Sequence, residues 1–138
     1  MEVQRICLKC GEVNTIIPET LKEKYVFDEH DKRYLVKYFE CERCKDINIL
    51  QIDDDSTLKI FYKLRALTMK VIKKHEKHET ITKEEVNNKD KYMKKLRAKR
   101  SELNELSKGK KLYDIMGNIF VESLTFDERG VIIDSNLW

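Results

Sequence analysis

Four cysteines carry the chemistry this sequence offers: Cys7 and Cys10 in one Cys-x-x-Cys turn, and Cys41 and Cys44 in a second. Thiolates are soft ligands, and such a turn delivers two of them to one side of an ion while its backbone N–H groups stay free to bond the sulfurs. Two turns complete a tetrahedron, so the spacing points to one structural Zn2+ ion. A redox dithiol pair and a catalytic zinc are the alternatives, and four protein thiolates leave a catalytic ion no open position. Gly11, directly after Cys10, suits the positive φ this kind of turn needs, whereas Lys45 stands at the matching place after Cys44. Lys9, Arg43 and Lys45 beside the turns would offset the double negative charge of a zinc ion bound by four thiolates.

Other polar groups give weaker signals. His75 and His78 are three apart on the apolar face of an expected helix, a candidate second metal site or pH-sensitive contact, but they lack the His-Glu-x-x-His order of a zinc protease. His30 is a spare ligand at most, in an expected surface turn. Asp53-Asp54-Asp55 reads as a helix cap in preference to a cation site. No Ser/His/Asp set, phosphate loop or nucleotide fingerprint occurs, so the expectation is that the protein is not an enzyme.

These groups must be positioned by short strands and long helices. Val13–Ile17, Tyr25–Phe27, Tyr34–Phe39 and the isoleucines at 47, 49 and 52 are β-rich and surround the two cysteine turns. From Thr57 to about His78, apolar residues recur every three or four positions, the period of one helical face. Thr82 with Glu85 forms a capping box opening a second helix to about Lys108, where Gly109 can end it. Lys111–Met116 is a short helical candidate, and Ile119–Phe126 with Val131–Ile133 reads as a β-hairpin. Trp138 is expected to pack with that last strand. No internal repeat stands out.

The first 50 residues resemble the zinc-ribbon family, through Cys7-x-x-Cys10-Gly11 and Cys41-x-x-Cys44 with β-rich segments between and after them. The resemblance covers about a third of the chain and implies a fold and a structural zinc ion, not an activity. The stretch between the pairs is longer than the roughly 15 to 20 residues common in such sites, which fits an extra hairpin from Tyr25 to Phe39. A ribbon of this kind is expected not to fold without its ion, and serine at Cys7 or Cys44 is expected to unfold the protein.

Charge is segregated along the 138 residues. Residues 56–111 hold 18 Lys/Arg against 7 Asp/Glu, while residues 1–55 and 112–138 are each net acidic. On the second helix Lys91, Lys94 and Lys95 stand opposite the apolar stripe of Val86, Met93, Leu96 and Leu103, with Lys99 extending the row, while Arg100 falls within the stripe. Such a row suits a phosphate backbone, or a solvated surface, or an acidic partner. The chain has no run approaching the roughly 18 apolar residues of a membrane span and no signal-peptide pattern, which suggests a cytoplasmic protein that avoids membranes. Its Lys-, Ile- and Asn-rich usage suggests an AT-rich genome, such as that of a low-GC bacterium or its phage.

The expectation is therefore an α+β protein: an N-terminal four-cysteine zinc ribbon over 1–55, a long antiparallel helical hairpin over 56–109 that protrudes as a basic arm, and a C-terminal piece over 110–138 whose β-hairpin packs back. A small adaptor or inhibitor that binds a larger protein through arm and ribbon is the first functional reading. A nucleic-acid-binding accessory protein or transcription or replication regulator is the second. A second copy of the chain is a further candidate to cover the first helix's apolar stripe.

Overall fold

The computed structural model describes residues 3–17, 19 and 21–125; the expected strand Val131–Ile133 and Trp138 lie outside them. Strands β1 (Val3–Ile6) and β2 (Val13–Ile16) form an antiparallel ribbon that carries the first cysteine turn. Strands β3 (Lys22–Phe27), β4 (Arg33–Glu40) and β5 (Ile47–Asp53) follow, then helices α1 (Asp55–Glu76) and α2 (Lys83–Ser107), then strands β6 (Leu112–Tyr113) and β7 (Ile119–Val121).

The expected fold of an N-terminal zinc ribbon, a protruding helical hairpin and a C-terminal β-hairpin is overturned. Strands from both ends of the chain join one five-stranded antiparallel sheet in the order β5-β4-β3-β6-β7. The segment expected as a short helix, Lys111–Met116, is instead strand β6 and the start of the turn to β7, and β6 adds to the free edge of β3 by pairing Tyr113 with Phe27. So short a helix is marginal alone and so is an isolated hairpin, whereas the open edge of β3 offers unpaired backbone groups to an added strand. Leu124 is tied in as well: its N–H donates to the Lys110 carbonyl at 2.9 Å and its carbonyl accepts from the Gly109 N–H at 2.8 Å.

The helices are likewise not the free-standing helical hairpin expected. Val26, Tyr34, Val36, Tyr38, Ile49 and Ile52 of the sheet build the main core with Leu103 of α2, Leu112 of β6 and Leu124. The end of α2 thus packs Leu103 on the sheet, while Leu106 stays exposed. A second apolar cluster, Ile60, Leu64 and Leu96 with Phe61, Tyr92 and Met93, joins α1 to α2. A third, Ile16, Phe39 and Leu50, seats the β1–β2 ribbon on the β4–β5 end of the sheet.

Helix boundaries follow the sequence signals closely. Asp54 caps α1 through the Thr57 N–H at 2.9 Å, and Thr82 caps α2 through the Glu85 N–H at 3.2 Å, each within a reciprocal capping box. At the other end of α1, His78 takes φ 56°, with its N–H on the His75 carbonyl and the Glu79 N–H on the Lys74 carbonyl. This is a Schellman termination with histidine in the place glycine usually fills.

Candidate metal centre

Two hairpin turns with the same backbone geometry bring the cysteines together. In the β1–β2 turn the Cys7 N–H donates to the Glu12 carbonyl at 2.9 Å and the Gly11 N–H to the Cys7 carbonyl at 3.0 Å. In the β4–β5 turn the Cys41 N–H donates to the Asp46 carbonyl at 2.9 Å and the Lys45 N–H to the Cys41 carbonyl at 2.9 Å. Gly11 has φ 77° and Lys45 φ 64°, so the lysine adopts the left-handed conformation that glycine takes in the first turn. For a residue with a Cβ that conformation costs about 1 to 2 kcal/mol.

The four Sγ atoms all lie within 4.8 Å of one another, with Cys7 and Cys44 at 3.6 Å and Cys10 and Cys41 at 3.5 Å. A tetrahedral ion with metal–sulfur bonds of about 2.3 Å needs sulfurs about 3.8 Å apart. The quartet therefore could hold a metal ion with little adjustment. Cys7 and Cys41 are buried and Cys10 and Cys44 half-buried. Electrostatics argue the same way. The backbone N–H of Cys44, working against burial and joined by the Asn14 side chain, holds the Cys41 thiol down at about 6. At Cys44 the Asp46 N–H also favours the thiolate, but burial and the neighbouring sulfurs of Cys7, Cys10 and Cys41 outweigh it and push that thiol up to about 12. Four thiolates at this spacing repel one another, and a cation bound among them would let all four ionise.

Comparison with known proteins returns no match: no family model fits the chain, and no curated protein or solved structure is significantly similar to it. Function must therefore be read from the chain's own geometry.

The groups that surround the sulfurs are the part that sequence reasoning missed. Asn14 and Asn48, only 4% and 5% exposed, each direct a side-chain N–H at a cysteine sulfur of the opposite turn, Asn14 to Cys41 and Asn48 to Cys7, both at 3.5 Å. Their signal was present, since each asparagine lies four positions after the second cysteine of its own turn. Of the basic residues expected to offset the centre's charge, Arg43 instead spans the two turns through an exposed ion pair with Glu12 at 3.5 Å. Such a pair contributes little.

The remaining candidates are placed elsewhere. His75 and His78 are exposed at the end of α1, and among the described residues only the four cysteines form a metal-ligating cluster. The His30 backbone N–H donates to the Asp28 carboxylate in the β3–β4 turn. The three aspartates do three different jobs: Asp53 pairs with Arg100, Asp54 caps α1, and Asp55 meets Arg33 at 3.1 Å. Lys91, Lys94, Lys95 and Lys99 are all exposed on α2. No helix among the described residues is long and apolar enough to cross a membrane.

Proposed function

We propose that the protein is a non-enzymatic binding module, stapled by one structural zinc ion, that holds a nucleic-acid phosphate backbone on the outer face of α2. Zinc suits a closed set of four thiolates, and a full set of protein ligands supports a structural role over a catalytic one. The observation that carries the binding reading is the state of the α2 lysines. Lys91, Lys94, Lys95 and Lys99 are exposed and take part in no ion pair among the described residues, although Asp90 and Glu102 lie on the same helix. Unpaired ammonium groups are free to displace counterions from a polyanion. From Lys91 to Lys99 the row extends about 12 Å along the helix axis, the length of three to four nucleotide steps.

A larger protein partner is the second reading, and a separate feature favours it. Ile115 and Met116 are 81% and 80% exposed at the tip of the β6–β7 turn. The Asp114 carboxylate stiffens that turn by accepting from the N–H groups of Met116 and Asn118, both at 2.9 Å.

Fluorescence anisotropy with generic single- and double-stranded DNA and RNA across a salt series tests the first reading. Binding that weakens with salt and disappears in Lys91→Glu/Lys94→Glu/Lys95→Glu supports it. An absence of binding at low salt would sink it, and co-purification with one protein at high salt after nuclease treatment would install the second reading.

A further inference from the structure

The two cysteine turns are copies of one pattern. Residues 7–14 read Cys-Leu-Lys-Cys-Gly-Glu-Val-Asn and residues 41–48 read Cys-Glu-Arg-Cys-Lys-Asp-Ile-Asn: cysteine, two residues, cysteine, a positive-φ residue, an acid, a β-branched residue, asparagine. This internal repeat does not stand out when the sequence is read in order. The structure relates the copies as a pair facing each other across the sulfur quartet, and every interaction of one asparagine recurs for the other with the copies exchanged.

Asn14 Oδ1 accepts from the Glu42 N–H at 3.0 Å, while its Nδ2 reaches Cys41 Sγ at 3.5 Å and its own turn's Glu12 carbonyl at 3.2 Å. Asn48 Oδ1 accepts from the Leu8 N–H at 3.1 Å, while its Nδ2 reaches Cys7 Sγ at 3.5 Å and the Asp46 carbonyl at 3.3 Å. Glu42 and Leu8 are the residues directly after the first cysteine of each turn. The amide orientation is not arbitrary. A backbone N–H can only donate and a carbonyl can only accept, so Oδ1 must face the former and the NH2 group the latter and the sulfur. Both buried amides are thereby used on both ends.

We propose that Asn14 and Asn48 are positioning residues forming a reciprocal clamp on the metal centre, each setting the orientation of the opposite turn and quieting that turn's first cysteine as a nucleophile. This rests on the zinc reading above. The clamp is crossed, which makes its consequence specific. An N–H aimed at a thiolate stabilises the sulfur's negative charge, holds the ligand in place and lowers its reactivity. Loss of Asn14 therefore exposes Cys41, not the cysteines of its own turn, and loss of Asn48 exposes Cys7.

The test uses the full chain loaded with Zn2+ or Co2+, comparing wild type with Asn14→Asp, Asn48→Asp, Asn14→Ala and Asn48→Ala. Aspartate keeps the acceptor for the backbone N–H but sets an oxygen against the sulfur; alanine removes both interactions without adding charge and serves if the aspartate variants do not fold. Metal transfer to a chelator is expected to be about 10 to 100 times faster in the variants, with the aspartates fastest. Limited alkylation mapped by peptide mass spectrometry should label Cys41 first in Asn14 variants and Cys7 first in Asn48 variants. Wild-type release rates in all four variants, or the same cysteine labelled first in both sets, would overturn the clamp alone. Wild-type protein that binds neither ion would overturn the zinc reading and the clamp with it.

Discussion

Arg100 lies edge-on to Asp53, its Nε 2.8 Å from one carboxylate oxygen and its Nη2 3.0 Å from the other, with 2% and 3% of the two side chains exposed. Gln51 adds a 2.8 Å bond to the same carboxylate, and the guanidinium lies over the Phe61 ring at 5.3 Å. This pair fastens α2 to β5. It also accounts for an arginine standing in the apolar stripe of its helix.

Breaking the pair from one side should be costly, because it leaves the other charge buried and unmatched. Asp53→Ala is expected to lose about 3 to 5 kcal/mol in urea unfolding of the metal-loaded protein. Arg100→Lys should also destabilise, since an ammonium cannot reproduce the two-pronged bond. The joint change Asp53→Leu/Arg100→Met should recover most of the loss. A single variant as stable as wild type would show that the pair does not hold the layers together.

Acid should weaken the β3–β4 turn through Asp28. Burial raises its carboxyl, but the N–H groups of Lys32 and His30, the Tyr34 hydroxyl and the Lys110 ammonium outweigh burial and hold it at about 2. Its folded value lies below the ordinary 3.8, so the stabilisation is complete above pH 4 and fades as the pH falls from there through 2. Asp28→Asn should be less stable than wild type by about 2 kcal/mol at neutral pH, and the difference should shrink below pH 4. A pH-independent difference would contradict this assignment.

Metal removal should unravel only part of the molecule. The ribbon is seated by Ile16, Phe39 and Leu50, whereas the main core and the α1–α2 cluster are built from other residues. The expectation that the ribbon does not fold without its ion stands, while the expectation that serine at Cys7 or Cys44 unfolds the protein is replaced by local loss. Hydrogen exchange after chelation should show protection lost in residues 3–17 and 41–46 and kept in residues 33–38 and 96–107. Uniform loss would mean that the sheet and helices depend on the ion as well.

Replacing Lys91, Lys94 and Lys95 by Ala should weaken nucleic-acid binding without regard to sequence. The slope of log affinity against log salt should fall by about 2 to 3, the value for three lost contacts to phosphate. An unchanged slope would place the contact elsewhere on the surface.

Much of the local structure could be read from the chain because it depends on neighbours. Cys-x-x-Cys spacing draws two sulfurs to one point, Asp54 and Thr82 mark helix starts through bonds to residues three positions on, and the 3.6-residue period marks the buried faces of α1 and α2. Long-range pairing left no such mark. Nothing near Leu112–Tyr113 says that these residues will complete the edge of β3, far earlier in the chain, and strand order in a sheet depends on which edges remain open once the nearer strands have paired. Arg100 was visible as an anomaly in its stripe, but only the packing of α2 on β5 supplied Asp53 as its partner.

The candidate metal centre divides along the same line. By itself the sequence determined the four candidate ligands, because two sulfurs separated by two residues have few other ways to lie in a turn. The tertiary structure alone decided that the turns face each other as equivalent copies and that Asn14 and Asn48 each serve the other's cysteine, since a hydrogen bond reaching across a fold depends on where two distant segments meet.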